Sequence, residues 1–363
     1  MLTKVNRVRE NGEEPMRHMR AMVLRGITDF TKTESPLTMM ELPVPVPGPE
    51  EVLVKVATCG VCHTELDEIE GRMVPSFFPI ALGHQVVGRI VEVGAEVKGL
   101  RIGDRVGIGW IYSACGTCSY CKEGAENLCP EFKATGRDVH GGYAEYILAK
   151  AEFVVLLPEE IGNVESAPLL CAGAIGYRSL VLTGIRDGDP LGLTGFGASA
   201  HLVLKMARYL YPTTKVYVFA RNPAEREFAL QLGASWAGEP ESESPVRLRA
   251  IIDTTPAWKP VVQALKNLKP SGRLVINAIR KEEKDKETLL CLDYSRDLWQ
   301  EKEIKSVANV TRKDLKATLE LAVKVPILPK VETFPLVEAN RALEELRNRG
   351  KRGAKVLLIE EVV

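Results

Sequence analysis

The chain has 363 residues, of which 45% are hydrophobic and 26% are charged, and its formal net charge is zero. This size and composition predict a globular protein of about two domains. The neutral balance gives no basic field for nucleic acid, and no charge-free apolar run reaches the roughly 18 residues of a membrane span. We therefore expect no nucleic-acid or membrane partner, and a small molecule as the ligand.

The first 18 residues mix charged and apolar positions without a long apolar core. They therefore lack the hydrophobic region of a secretory signal. We expect a flexible N-terminal extension over residues 1–18 and a cytoplasmic protein.

Alternating polar and apolar residues predict a first lobe made mainly of β-strands. The pattern covers residues 21–25, 51–57, 86–93 and 103–110, with a proline-rich interruption at 43–49. Proline cannot donate a ladder hydrogen bond, so this interruption separates two strands.

Four cysteines lie close together in one short polar loop: Cys115, Cys118, Cys121 and Cys129. Zn²⁺ is the metal whose closed structural sites most often take four thiolates, and such a site leaves no open position for chemistry. Two disulfides or an iron–sulfur cluster are the alternatives. The chain shows no sign of export or electron transfer, so we favour a structural zinc.

Three more potential ligands are spread along the chain: one cysteine of the pair Cys59 and Cys62, then His84, then Cys171. Two Cys and one His around Zn²⁺ leave a fourth position for water or an alcohol, which is the arrangement of a catalytic zinc. Two thiolates also cancel the +2 charge of the ion, so that the complex with a bound alkoxide has a net charge of only about −1. Alternatively, the Cys59 and Cys62 pair is a redox dithiol, although the βαβ context typical of that motif is absent.

After Cys171 the pattern changes to alternating helices and strands, which predicts an α/β lobe. A helix at 174–183 and a buried strand at 191–194 precede a glycine-rich turn that leads into a helix at 201–209. The turn has the G-x-G-x-x-A form of the dinucleotide fingerprint, and the helix N-terminus favours the pyrophosphate anion. The expected cofactor-binding residues of the turn are Gly195, Phe196, Gly197, Ala198 and Ser199.

The end of the next strand, residues 215–219, bears on the choice of cofactor. NAD-specific sites place an Asp or Glu there to bind the adenosine ribose, whereas this chain has Arg221 and Asn222. An Arg can pair with a 2′-phosphate, so the sequence favours NADP(H) over NAD(H). Alternatively, Arg221 is a solvated loop residue and the protein accepts both cofactors.

Further βα units are predicted from strands at 250–254 and 273–279 and a helix at 261–268. Thr254 and Asn277 end strands at the edge where open α/β sheets bind ligands. We expect both residues to contact the nicotinamide side of the cofactor.

The remaining segments are predicted from local composition and periodicity. Residues 269–272 form a turn signal, and the charged run 280–287 is typical of a solvated loop. Helices at 315–323 and 339–347 and a strand at 355–359 complete the chain.

Together these motifs resemble those of the zinc-containing medium-chain alcohol dehydrogenases. The resemblance runs over nearly the whole chain from Met19 and rests on Cys62-His63-Thr64, Gly83-His84-Gln85, the four-cysteine loop, Leu170-Cys171-Ala172-Gly173 and the glycine fingerprint. It implies a GroES-like, mainly β catalytic domain over 19–172 and 311–363, and a doubly wound Rossmann domain over 173–310.

The resemblance also implies two zinc ions per chain. Cys62, His84 and Cys171 would bind the catalytic zinc, which leaves Cys59 outside the site, and the four-cysteine loop would hold the structural zinc. His63 would face the cofactor pyrophosphate.

The same resemblance implies a proton relay and a substrate pocket. Thr64 would begin the relay and Trp110 would line the pocket. Three positions depart from the family pattern: Gln85 replaces a Glu, Glu65 replaces an Asp, and Asp67 replaces the His that ends the relay in many relatives. A carboxylate at the last position can still pass protons, with a different pH optimum.

The implied function is a zinc-dependent alcohol dehydrogenase, or a carbonyl reductase in reverse, acting on a small alcohol, aldehyde or ketone as a homo-tetramer or homo-dimer. A polyol or sugar dehydrogenase on the same scaffold is one alternative, although Trp110, Phe77 and Phe78 favour a less polar substrate. A non-catalytic dinucleotide-binding protein is another. The intact set of Cys62 and Thr64 with the other ligands argues against it.

Overall fold

The structure is a computed structural model that describes residues 17–30, 32–197, 199–325, 327–348 and 353–360. Most of the predicted N-terminal extension, and Ala198 of the glycine fingerprint, lie outside these described residues. Within them, no helix combines the length and the apolar character needed to cross a lipid bilayer.

The first half of the chain consists mostly of β-strands. They are β1 (His18–Leu24), β2 (Leu37–Pro43), β3 (Glu51–Val61), β4 (Ile80–Ala81), β5 (Gln85–Val93), β6 (Arg105–Ile108), β7 (Ile111–Ser113), β8 (Lys133–Ala134), β9 (Tyr146–Lys150) and β10 (Val154–Leu156). The helices among them are α1 (His63–Ile69), α2 (Ser119–Lys122) and α3 (Asn163–Pro168).

The second half alternates helices and strands. Its helices are α4 (Ala174–Thr183), α5 (Ala200–Leu210), α6 (Pro223–Gln231), α7 (Lys259–Asn267), α8 (Arg312–Lys324) and α9 (Ala339–Arg347). Its strands are β11 (Leu191–Thr194), β12 (Val216–Phe219), β13 (Trp236–Gly238), β14 (Leu248–Asp253), β15 (Leu268–Ile276), β16 (Glu303–Ser306), β17 (Val331–Pro335) and β18 (Ala354–Leu358).

The main sheet of the first lobe is arranged around β3, in the order β10-β6-β5-β3-β18-β17, with β9 also paired to β3. Side chains alternate across this sheet, and both of its faces are buried. Val86 and Leu357 belong to the apolar core on one face, while their neighbours Val87 and Val356 belong to the core shared with the second lobe. The last strand, β18, pairs antiparallel with β3, so the C-terminal segment returns to the first lobe.

The second lobe is a six-stranded sheet of order β13-β12-β11-β14-β15-β16, in which every pair is parallel. This is the 3-2-1-4-5-6 order of a doubly wound Rossmann sheet, so the predicted α/β fold class is confirmed. All four residues of β11 are buried, as expected for a central parallel strand. The carboxyl ends of β11, β14 and β15 lie at one edge, where such sheets bind ligands.

One prediction for the second lobe is confirmed and another needs correction. The turn at 269–272 is confirmed, because it lies outside the pairing of β15 with β14, which is made at Leu268 and again from Arg273, and Ser271 within it has a φ of +58°. The charged run 280–287 is not simply solvated, because the side chain of Lys281 is only 7% exposed.

Lys281 anchors its loop to the carboxyl end of β14. Its ammonium binds the fully buried carboxylate of Asp253 and donates to the carbonyls of Thr255 (2.8 Å) and Ala257 (3.0 Å). Burial raises the pKa of Asp253, and the nearby ammonium opposes that shift. The pair therefore places two compensating charges inside the lobe.

We predict that Lys281→Met lowers the free energy of unfolding by about 3 kcal/mol, because it leaves the buried Asp253 carboxylate without its cation. Urea denaturation measures the change. Lys286→Met removes the exposed Lys286–Glu283 pair and should change stability by no more than about 0.5 kcal/mol. Adding Asp253→Asn to Lys281→Met should restore part of the lost stability. Equal stability of Lys281→Met and Lys286→Met would contradict the prediction.

Candidate active site

Cys62 lies at the junction between β3 and α1, where it is the N-cap residue of the helix. Its backbone N–H donates to the Glu65 carboxylate (N···Oε2 2.6 Å), three residues into the helix. This contact satisfies one of the free N–H groups at the helix start and fixes the chain that carries the Cys62 sulfur.

Glu65 also holds His84, which directly precedes β5. The other carboxylate oxygen is 2.7 Å from His84 Nδ1, and both side chains are buried. Because Nδ1 is engaged with the carboxylate, Nε2 is the nitrogen left for another partner. Burial disfavours the charged imidazole, but Glu65 and Cys62 outweigh burial and raise the pKa of His84 well above its usual value.

Cys171 lies in a single π-helical turn, Leu169–Gly173, between α3 and α4. Such turns are rare and occur often at functional sites. The Cys171 sulfur is 3.9 Å from the Cys62 sulfur, and one ligand atom each from Cys62, Cys171 and His84 lie within 4.8 Å of one another. The structure thus brings together three side chains that are distant in sequence.

The two thiols differ in their ease of ionisation. The hydrogen bond from Cys171, followed by the contact with His84, holds the pKa of Cys62 well below its usual value despite burial. The same hydrogen bond, reinforced by burial, raises the pKa of Cys171. The donor set of two sulfurs and one imidazole nitrogen is chemically suited to Zn²⁺ with one position left open.

Cys59, the other half of the predicted alternative dithiol, does not share this environment. It is fully buried within β3, and its sulfur contacts the carbonyl of Gly60 at 3.6 Å. Cys62 instead faces Cys171, so the structure gives no support to a redox pair.

The four cysteines of the loop at 115–129 also converge, with their sulfurs within 4.8 Å of one another. The sulfurs of Cys115 and Cys121 are 4.0 Å apart. Four thiolates at about 2.3 Å from a tetrahedral ion lie about 3.8 Å from each other, whereas a disulfide needs about 2.05 Å. This spacing fits a metal better than disulfides, and all of the chain's cysteines are free thiols.

Hydrogen bonds from the loop's own backbone favour the thiolate of Cys115. The N–H of Cys118 donates to its sulfur at 3.4 Å, and the Thr117 hydroxyl lies at 3.7 Å. These donors lower the pKa of Cys115 to about 6. Burial and the neighbouring thiols raise the pKa of Cys121 to about 12.

Three residues with predicted roles surround the three-ligand cluster. The Thr64 hydroxyl is buried and 3.6 Å from the Cys62 sulfur. Trp110 packs edge-on against the His84 ring, with ring centroids 5.1 Å apart. His63 is exposed at the first position of α1.

Asp67 lies deeper in α1 and is engaged in ion pairs. Its Oδ1 accepts from Arg72 Nε at 2.6 Å and from Arg280 Nε at 2.9 Å, and only 5% of its side chain is exposed. Arg280 belongs to the second lobe. The sequence offered no signal for this contact beyond the charge of the segment 280–287.

The predicted cofactor turn leaves β11 at Gly195, whose φ of +78° favours glycine. A Cβ there would lie 2.9 Å from the Thr254 hydroxyl. A Cβ on Gly197 would meet nothing within 4 Å, so the backbone at that point is open to a ligand. Phe196 is buried against Phe228, which makes its side chain part of the core. Ser199 directly precedes α5.

The end of β12 carries the residues predicted to choose the cofactor. Arg221 is exposed, whereas the Asn222 side chain caps α6 by accepting from the N–H of Ala224 (2.9 Å). Arg226, which the sequence did not single out, donates to the carbonyls of Ala220 (2.8 Å) and Arg221 (3.0 Å). It therefore holds the backbone of this segment, and its guanidinium also pairs with Glu239 (3.7 Å).

Thr254 and Asn277 lie at the carboxyl ends of neighbouring strands, as predicted. The Thr254 hydroxyl donates to the Thr194 carbonyl at 3.0 Å, which ties it to β11. The Asn277 side-chain N–H₂ is buried and has no partner in the structure. A buried amide without a partner is costly, which makes Asn277 the better candidate for a ligand contact.

Glu68 is a further residue that the sequence analysis missed. It is fully buried in α1, and neither carboxylate oxygen has a hydrogen-bond partner. Burial, then repulsion by Glu65, raises its pKa well above the usual value. The available signal was its position three residues after Glu65, which puts both on one face of the helix.

The thiol pKa values predict selective labelling of the metal-free protein. At pH 7 iodoacetamide should modify Cys115 and spare Cys121, because only thiolates react. Labelling of Cys115 should slow as the pH falls through about 6. Since folding lowers this pKa, the thiolate stabilises the fold above the ordinary thiol pKa, and that contribution disappears below about 6.

Mass spectrometry of the labelled peptides measures both rates. Thr117→Ala removes one donor to the Cys115 sulfur and should shift its labelling to higher pH. Equal labelling of Cys115 and Cys121 at pH 7 would contradict the assignment.

Comparison with known proteins identifies the family of the chain. Residues 48–159 match the family model described as the alcohol dehydrogenase GroES-like domain. A probable alcohol dehydrogenase of Mycobacterium tuberculosis is 41% identical over 89% of this chain and 93% of its own length. An alcohol dehydrogenase of Geobacillus stearothermophilus is 34% identical over 92% of this chain and 98% of its own.

Among solved structures, a cinnamyl alcohol dehydrogenase of Sorghum bicolor is 26% identical and superimposes with a TM-score of 0.78, over 94% of this chain and 98% of its own. These similarities span both lobes. The predicted fold and family are thereby confirmed. The chain belongs to the zinc-containing medium-chain alcohol dehydrogenase family and is an oxidoreductase with a GroES-like domain and a Rossmann-type sheet.

Proposed function

We propose that this protein is a zinc-dependent alcohol dehydrogenase, or carbonyl reductase in reverse, that transfers hydride between a small alcohol and a nicotinamide cofactor, preferably NADP(H). The observation that carries the proposal is the convergence of Cys62, His84 and Cys171 within 4.8 Å. Their donor atoms match a catalytic zinc site with an open position. The four-cysteine loop would hold a second zinc.

Zn²⁺ held by Cys62, His84 and Cys171 would supply a Lewis acid that polarises the substrate oxygen. The chain's own contribution is to orient the ligands. Glu65 accepts from His84 Nδ1 and from the Cys62 backbone, so one buried carboxylate positions two ligands at once. Trp110 covers the His84 ring and excludes water from that side.

Proton transfer is the proposed role of Thr64. Its hydroxyl lies 3.6 Å from the sulfur of Cys62, a proposed zinc ligand, and would accept the proton of a bound alcohol as it releases its own. Asp67 is the predicted second member of the relay. This remains a prediction, because the Asp67 carboxylate already accepts from two guanidinium groups.

NADP(H) would accept or supply the hydride at C4 of its nicotinamide ring. The glycine turn after β11 and the N-terminus of α5 are proposed to bind the pyrophosphate, with His63 facing it from the first lobe. The open backbone at Gly197 and the unpartnered amide of Asn277 support this placement.

The preference for NADP(H) rests on charge at the end of β12. Arg221 is exposed there, and Arg226 fixes its backbone. A guanidinium fork matches a 2′-phosphate, which NAD(H) lacks. Asn222 is proposed to contribute its backbone, because its side chain caps α6.

A homo-dimer or homo-tetramer is also proposed. The edge strand β16 is exposed at all four residues, and Ile304 in it and Trp299 before it are large exposed apolar side chains. An uncovered strand edge of this kind readily pairs with another chain.

A comparison of two cysteine variants distinguishes the proposed dehydrogenase from a dinucleotide-binding protein without turnover. We predict that Cys171→Ser lowers the zinc content from about two ions to about one per chain and reduces turnover roughly a thousandfold or more. Cys59→Ala, at a buried cysteine outside the cluster, should retain both ions and activity. Metal analysis and reduced-nicotinamide absorbance, with a panel of alcohols, ketones and polyols, measure the outcome.

Cofactor binding by the wild type without turnover of any substrate would favour the non-catalytic alternative. Turnover confined to polyols would favour the sugar or polyol dehydrogenase. Full activity in Cys171→Ser would refute the three-ligand site.

Arg221→Ala should reduce the NADPH-to-NADH ratio of kcat/KM by about tenfold, since it removes a charge-assisted contact to the 2′-phosphate. Steady-state kinetics with both cofactors measure the ratio. Arg186→Ala is the matched control, because Arg186 is also exposed but precedes β11 at the opposite edge of the sheet. An unchanged ratio in Arg221→Ala would refute the assignment.

A further inference from the structure

An ion-pair cluster connects the two lobes through helix α1. The Asp67 carboxylate accepts from Arg72 within the same segment and from Arg280, which lies 213 residues further along the chain. The Asp67 side chain is 5% exposed, and that of Arg280 is 42% exposed. A buried carboxylate thus receives one local guanidinium and one from the other lobe.

The backbone of Arg280 is held in place by the neighbouring residue. Arg280 directly precedes Lys281, whose buried ammonium binds Asp253 and the carbonyls of Thr255 and Ala257 in the second lobe. Because Lys281 is bound to the second lobe, the backbone next to Arg280 cannot move freely with Asp67 of the first lobe. The contact therefore constrains the two lobes relative to each other.

The two ends of the contact lie beside the two halves of the proposed reaction. Arg280 is three residues after Asn277, at the carboxyl edge of the Rossmann sheet. Asp67 is in α1, which begins directly after Cys62 and carries Thr64. The Arg280–Asp67 pair thus joins the proposed nicotinamide side to the proposed metal side.

Other polar contacts between the lobes have a different location. The Arg178 guanidinium donates to Asp314 at 2.7 Å, and Asn127 donates to the Ala308 carbonyl. Residues 178, 308 and 314 lie close to the points where the chain passes between the lobes. These contacts join the lobes near the chain crossing itself, whereas the Arg280–Asp67 pair joins them through the loop that follows β15.

From these observations we propose that Arg280 and Asp67 form a latch that holds the lobes in the arrangement competent to bind the nicotinamide cofactor. Arg280 is a positioning residue: it acts through Asp67 and α1. The latch is reversible, because the half-exposed guanidinium can exchange its carboxylate partner for water. This inference rests on the proposed binding of a nicotinamide cofactor between the lobes.

A latch changes the fraction of protein that is competent to bind, so it should affect NADPH and NADH alike. Arg280→Ala should raise both dissociation constants by the same factor, about three- to tenfold, as expected for one charge-assisted hydrogen bond at a partly exposed site. Fluorescence titration of each cofactor measures this. Arg280→Lys, which keeps the charge and loses the fork, should give an intermediate value.

Arg72→Ala is the matched control. It removes the other guanidinium from the same carboxylate, but from within the first lobe, and should change the dissociation constants less than twofold. In a double-variant cycle, Asp67→Asn with Arg280→Ala should cost no more than Arg280→Ala alone. Additive losses, unchanged constants, or a loss for NADPH alone would each overturn the latch.

Hydrogen exchange tests the latch without any cofactor. In the free protein, amides of residues 279–287 should exchange faster in Asp67→Asn than in wild type or Arg72→Ala, although the substitution lies in the other lobe. Unchanged exchange in Asp67→Asn would overturn the proposal. If the wild type bound neither cofactor, the proposed function would fail, and this exchange experiment would still decide whether the lobes are latched.

Discussion

The structure of the site depends on one buried carboxylate, that of Glu65. It receives the backbone N–H of Cys62 and faces Nδ1 of His84, so it fixes residues from a strand end and from a separate loop. A carboxylate with no solvent exposure is stable only when such partners are in place. The same hydrogen bonds that satisfy Glu65 therefore also determine where a sulfur and an imidazole nitrogen meet.

Much of this arrangement could be predicted from the sequence. Period-two alternation located β3 and β5, and the glycine turn after β11 located the dinucleotide edge, because both signals are local. The meeting of Cys62 with His84 and Cys171 is not local. It was predicted only through resemblance to a family, since spacing alone did not decide between Cys59 and Cys62.

Other features depend on tertiary contacts that leave no trace in a sequence pattern. The run 280–287 has the composition of a solvated loop. Lys281 is nevertheless buried, because its ammonium binds the Asp253 carboxylate at the end of a parallel strand. A charge signal predicts exposure only when no partner lies within reach.

The electrostatics of α1 also account for the glutamine beside His84. Glu65 and Glu68 lie on one face of the helix, both buried, and burial with repulsion from Glu65 raises the pKa of Glu68 well above its usual value. Two thiolate ligands and the Glu65 carboxylate would exceed the charge of one bound divalent ion by one. A glutamate in place of the buried Gln85 would add a third carboxyl group to this region and a further desolvation cost. The neutral amide of Gln85 avoids that cost.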